Sequence, residues 1–321
     1  MMRIAIAGGG GLGYLLAFQL SQAANAYNVV VLSRTARPEF GQLDVQLHVV
    51  DYSDADSLIF ALRGVDVAIS TVSGDEQLHL INAAGHARVR KFVPSEFEGT
   101  LTERPRRPLP DPLDRGSARA RHLLDQWERS SRMRYTIFSC GVFMESFHPG
   151  GLGFLNIGYG SNVSGAGDYL LDINNCTAEY ARYNSAGRTV RLCLTSVSDL
   201  VRFIVAALDL GPRSWPREFT MRGDRLSVFE VVETCSRARN ALFNHCPRQH
   251  DELENLKNFC IQTGDDNRAA FYQRLVATTE GRYDFSRASL NEALIRNRHL
   301  DFQPMTLSQW LTNMWQSLYE R

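Results

Sequence analysis

The residues whose spacing carries chemistry stand near the start of the chain. In "AIAGGGGLGYLLA", Gly8, Gly10 and Gly13 fall in G-x-G-x-x-G register between an apolar run and a helix-patterned segment. In that setting one glycine makes a tight turn, one lets backbone amides approach a pyrophosphate, and one lets helix and strand pack closely. The N-terminus of the following helix adds partial positive charge. The pattern predicts a dinucleotide site. The next apolar run, "VVVLSRT", ends on Ser33 and Arg34. An acid at that tip would grip the adenosine 2′-hydroxyl, whereas a guanidinium suits a 2′-phosphate, so NADP(H) is the expected cofactor. The competing reading of Arg34 is a solvated arginine in an arginine-rich chain.

A second stretch, "LPDPLDRGSARARHLLDQW" (109–127), runs from a proline-broken loop into a basic, helix-patterned segment. It carries Arg115, Arg119 and Arg121 with Ser117 and His122, and no lysine. Of the 35 basic side chains in the chain only Lys91 and Lys257 are lysines, and neither has a tyrosine four residues before it. Arginine can stabilise an oxyanion but, with a pKa above ~12, is a poor proton donor. The remaining acid–base candidates are His148, whose ordinary pKa near ~6.5 suits the task, and Tyr169 beside Asp168 in a glycine-rich segment. Glu145, close to Phe143 and Phe147, would be a raised-pKa acid if buried. Each also has a plain structural reading. No GxSxG elbow, HExxH helix or metal-type cysteine cluster points to hydrolase or metal chemistry.

The elements that must position these residues alternate. Strand patterns at 3–8, 28–34, 45–51, 65–72, 90–97 and 133–141 are near-continuous apolar runs, and helix patterns at 14–23, 54–64 and 76–87 lie between them. Such runs are strands buried on both faces. The alternation predicts an α/β, doubly wound parallel-sheet Rossmann fold. After about residue 145 the pattern loosens. The expected division is a dinucleotide-binding domain over 1–145 with 188–212 interleaved, and a smaller α/β substrate lobe from 146–187 and 213–321. The run 103–112, "ERPRRPLPDP", reads as a surface loop.

Composition excludes several classes. The formal net charge is zero, which gives no electrostatic reason for direct nucleic-acid or membrane contact. No apolar run approaches the ~20 residues of a membrane span. The six cysteines are scattered, as buried thiols of a reducing compartment are, and a cytoplasmic location is expected. A small molecule is the expected partner, and a homodimer is compatible with the composition.

With these residues in place, the chain resembles the isoflavone reductase-like and NmrA-like proteins, atypical members of the short-chain dehydrogenase superfamily, and most of all their fungal members. The resemblance spans nearly the whole chain. It rests on the glycine loop, "LSRT", "GVDVAIST", "KFVPSEF", "YTIFSCGVFMESF", "SVSDLVRFIVAAL", "GDRLSVFEVVE", and "YDFSRASLNE" followed by "MTLSQWL". It implies that Gly8, Gly10, Gly13, Ser33 and Arg34 hold NADP(H), with Thr71, Ser73 and Pro94 beside it. It further implies that Ser95, Phe97, Phe143, Met144 and Phe147 border the substrate. Two departures stand out. The glycine loop is one residue shorter than is usual in the family. The family's lysine, which orients the nicotinamide ribose and assists proton transfer, falls on Ser117, with the following family arginine on Arg121.

Three functions fit these residues. The first is an NADPH-dependent reductase of a conjugated or aromatic-derived small molecule, of enone or quinone methide type, in secondary metabolism. The catalytic candidates are the Ser117 position, His148 and Tyr169. The second is a non-redox cyclase, dehydratase or isomerase on the same scaffold, in which orientation and electrostatics supply the rate. The third is a dinucleotide-sensing regulator.

Overall fold

The computed structural model describes residues 1–104, 111, 113–158, 163–297 and 302–319. The first half comprises β1 (Arg3–Ala7), α1 (Gly11–Ser21), β2 (Asn28–Ser33), β3 (Gln46–Val49), α2 (Ala55–Ala61), β4 (Val67–Ser70), α3 (Asp75–His86), β5 (Lys91–Val93), α4 (Ser117–Ser130), β6 (Arg134–Tyr135) and β7 (Ile137–Ser139). The second comprises β8 (Val142–Phe143), β9 (Leu171–Asp172), β10 (Thr177–Ala181), β11 (Arg191–Thr195), α5 (Val197–Asp209), β12 (Glu218–Thr220), β13 (Asp224–Ser227), α6 (Val228–Arg239), β14 (Asn244–Arg248), α7 (His250–Thr263), α8 (Asp266–Thr279), α9 (Ser289–Arg296) and α10 (Leu307–Tyr319).

Six strands form a parallel sheet in the order β3-β2-β1-β4-β5-β6. This is the doubly wound arrangement, and its strand order reverses between β1 and β4, where ligands of such sheets bind. The alternation of side chains divides the strands cleanly. Ile4, Ile6, Val29, Val31, Val67 and Ile69 face a core with α1, α5 and α9. Ala5, Ala7, Val30, Leu32 and Ala68 face the core under α2, α3 and α4. A period of two with apolar residues on both faces is what a sandwiched parallel sheet demands.

The strand expected over 133–141 is broken at Thr136. Its first part pairs with β5 and its second with β12, and Thr136 turns its hydroxyl to Pro216 O at 2.6 Å. The remaining strands make two small sheets, β14-β10-β9 and β13-β11-β8. They enclose a separate apolar core that includes Met144, Phe147, Tyr169, Leu192, Val231, Leu275 and Trp310. No helix among the described residues is long and apolar enough to cross a membrane. Most of the loop read over 103–112 lies outside the described residues.

Candidate active site

The glycine loop joins β1 to α1 at the point where the strand order reverses. Gly8 has φ +108°, a conformation open to glycine and strained for other residues. A side chain on Gly13 would lie 1.9 Å from Gly8 O, so helix and loop approach more closely than any other residue permits. Across the reversal, Thr71 donates its hydroxyl to Ala7 O at 2.8 Å and closes the β1–β4 edge. Helices α2, α5 and α6 are capped by Asp54, Ser196 and Ser227. Helix α1 has no side-chain cap and no acid in its first turn. Its first N–H groups have no intrahelical partner and no capping side chain, the arrangement that receives a phosphate. Over Gly10, the nearest atom to the place of a Cβ is Asn156 O at 3.8 Å. This cradle fits the pyrophosphate of a dinucleotide.

The tip of β2 carries Ser33, Arg34 and, three residues on, Arg37. Ser33 is buried at the tip of β2. Its Oγ and Arg37 Cγ stand 3.0 and 3.4 Å from the place of a Cβ on Gly9. Arg34 is 72% exposed and pairs with Glu76 of α3 at 2.8 Å, while Arg37 lies 3.6 Å from Glu39. Arg37 was not among the residues singled out from the sequence. Its signal is the R-x-x-R spacing of "SRTAR", which sets two guanidiniums at one strand tip.

The other end is built where β4, β5 and α4 meet. Gly74 N donates to Arg115 O at 3.2 Å, which brings the Ser73–Gly74 loop against the start of α4. Ser117 is the first residue of α4. Trp127 holds the far end of that helix, packing edge-on against His86 of α3. After β5, Pro94 is buried and Ser95 and Phe97 are half-buried; Ser95 N donates to Gln77 Oε1 at 2.6 Å. One turn beyond Ser117, Arg121 donates to the fully buried Glu96 at 2.7 Å. Burial pushes the Glu96 carboxyl up against the opposing pull of Arg104 and Arg121. Neighbouring Glu98, despite its own desolvation, is held below the usual range by Arg104 and Arg282. Arg282 also bonds Asp111 at 2.9 Å, so a buried ionic clasp ties the segment after β5 to the loop after α8. Arg119 points elsewhere, to an exposed pair with Asp75. Lys91 is buried at the start of β5 beneath Trp215, where desolvation lowers its pKa.

Several expected residues lie elsewhere. Tyr169 is 1% exposed in the core of the smaller lobe, bonds Thr278 at 2.8 Å and sits under the Arg274 guanidinium. Burial drives its pKa up, so it does not act as a proton donor to a bound substrate. Met144 and Phe147, 0% and 1% exposed, also belong to that core; Phe147 stacks on Tyr169 and does not line a cleft. The family resemblance implies pocket-facing positions for both, but the 3-10 turn Met144–Phe147 carries them inward. Phe143 stays half-buried and, like Phe97, Leu155 and Ile157, packs against the core that carries α1. His148 is partly buried, stacks on Phe154 at 3.7 Å and accepts from Gly150 N through Nδ1 at 2.9 Å. When neutral it therefore carries its proton on Nε2. Glu145 is buried, and both its oxygens accept from Val197 N at 3.0 Å at the start of α5.

Comparison with known proteins places this geometry. Residues 8–161 match a family model described as NAD(P)H-binding. The oxidoreductase BOA1 of Botryotinia fuckeliana is 30% identical over 243 residues, spanning 72% of this chain and 74% of that protein. A crystal structure of isoflavone reductase superposes with a TM-score of 0.69 at 17% identity, over 98% of this chain and 99% of that one. The leucoanthocyanidin reductase–NADPH complex from Vitis vinifera gives 0.68 at 14% identity, over 97% and 98%. The two structures bear on the fold alone; the sequence relative carries the kinship. The chain belongs to the isoflavone reductase-like and NmrA-like family of NAD(P)H-binding oxidoreductases.

Proposed function

We propose that the protein is an NADPH-dependent reductase of a conjugated or aromatic-derived small molecule, of enone or quinone methide type, in secondary metabolism. The observation that carries the proposal is the glycine loop, where an uncapped α1 faces a strand tip bearing Ser33, Arg34 and Arg37. Those residues suit a pyrophosphate and a 2′-phosphate together. When bound, the cofactor supplies a hydride. The chain's own part is to orient the acceptor and exclude water. Phe97, Phe143, Leu155 and Ile157 offer an apolar wall for a flat, unsaturated ring system. Ser117 offers no ammonium, so a strongly electrophilic acceptor, which needs little acid assistance, is the fitting class. Proton delivery falls to water. The NADPH-bound relative of known structure is in keeping with the cofactor.

The test is NADPH oxidation against a panel graded in electrophilicity. Turnover that rises with electrophilicity supports the proposal, and no oxidation with any member rejects it. Ser117 also favours a second reading, a non-redox reaction on the same scaffold. Product formed by cofactor-stripped protein would select that reading.

A further inference from the structure

One segment touches the glycine loop from the far side of the sequence. Leu152–Leu155 forms a 3-10 turn and Asn156 follows with φ +54°. The turn is closed by Asn156 N to Gly153 O at 2.9 Å and Ile157 N to Leu152 O at 3.3 Å, and Gly153 N donates to Ser164 O at 2.8 Å. Leu155 and Ile157 anchor it on the apolar core beside α1. Its backbone then rests on Gly11, the first residue of α1. A Cβ on Gly11 would lie 1.6 Å from Leu155 O and 2.8 Å from Leu155 C. Gly11 is not among the positive-φ glycines, so packing against this turn, and not backbone conformation, demands glycine here. Asn156 O is also the nearest atom over Gly10, at 3.8 Å.

Two carbonyl oxygens of the chain, those of Leu155 and Asn156, thus stand at the positive end of α1, where an anionic group is favoured. Glycines flank the turn: Gly150 and Gly151 before it, the latter with φ +58°, and Gly158 after it, with φ +72°. The His148–Phe154 stack fixes one end. Among the described residues, the segment's backbone rests on Gly11 and its apolar anchor lies between glycines of positive φ.

We propose that the Leu152–Asn156 turn is a gate over the dinucleotide site, seated on Gly11 with and without cofactor, which lifts to admit and release it. The proposal rests on the cofactor assignment made above and adds a conformational step to it. Adding a methyl group at Gly11 pushes the turn outward and enlarges the open population, so both entry and exit quicken.

The experiment is stopped-flow NADPH binding to the full chain and to Gly11→Ala. The expected result is a rise of about fivefold or more in both kon and koff, with Kd moving less than either rate. Leu155→Ala, which removes the apolar anchor and leaves the glycine loop intact, is expected to act in the same direction and covers a Gly11 variant that fails to fold. Amide exchange at Asn156 and Ile157 in the absence of cofactor is expected to quicken in both variants. A raised koff with unchanged or lower kon in both variants overturns the gate and leaves the turn as a fixed wall, with the cofactor assignment standing. Absence of binding in all three overturns both the gate and the cofactor assignment.

Discussion

Replacing Glu145 by glutamine isolates a strongly perturbed carboxyl near the junction of the two cores. Glu145 is 4% exposed. Burial pushes its pKa from 4.5 up to about 7, with the nearby Asp199 carboxyl adding to the rise. The Val197 N–H at the positive end of α5 and the Trp310 side chain oppose it, and desolvation wins. The folded pKa lies above the unfolded one, so the native state binds the extra proton. Stability contributed by the protonated carboxyl is full below about pH 4.5 and is lost as pH rises to about 7, after which the loss is constant. At ~1.36 kcal/mol per pKa unit the full loss is on the order of 3 kcal/mol. Glutamine keeps an acceptor for Val197 N and cannot ionise. Urea unfolding of parent and Glu145→Gln at pH 5, 6, 7 and 8 measures the difference directly, because other titrating groups cancel. The variant's stability relative to the parent is expected to climb by on the order of 3 kcal/mol between pH 5 and 8, about 4–5 °C in Tm for a chain of this size. A gap independent of pH, or one that narrows as pH rises, would refute the reasoning.

Three further outcomes follow from named contacts. Arg37→Ala is expected to weaken NADPH binding about 10- to 100-fold, the loss of one charge-assisted contact, with NADH affinity unchanged; calorimetric titration of both cofactors checks it. Arg282→Met leaves Asp111 without its buried guanidinium and Glu98 with Arg104 alone among the described residues and is expected to cost about 3–5 kcal/mol in urea unfolding. Ser117→Lys restores an ammonium at the first turn of α4 and is expected to raise kcat at least tenfold for weakly electrophilic acceptors. The gain should shrink for strongly electrophilic ones, as steady-state assays across the panel would report.

Much of the larger half was legible because its elements follow local rules. Apolar runs such as "RIAIA" and "NVVVLS" contain their own alternation, with Ile4, Ile6, Val29 and Val31 to one core and Ala5, Ala7, Val30 and Leu32 to the other. Boundaries moved where a cap or a partner decides them. Helix α6 begins at Val228, because Ser227 and Glu230 form a capping box and the preceding residues pair with β11. Helix α1 starts at Gly11 and not at Tyr14, since glycine lowers helix propensity but not the need to present amides at the loop. The loop geometry was legible around Gly8, Gly13, Thr71 and Ser33, because it depends on neighbours close to the loop. It was not legible where a side chain's direction depends on distant packing. Tyr169 turned out to be buried by Thr278 and Arg274, residues more than a hundred positions away. The Glu96–Arg104–Arg121 cluster likewise joins three segments that no spacing rule connects.

The most direct test of the central claim is titration of NADPH and NADH into cofactor-stripped protein by calorimetry. The account predicts micromolar NADPH binding with NADH at least tenfold weaker, the difference arising at the 2′-phosphate. Absence of NADPH binding, or equal affinity for the two cofactors, would contradict it.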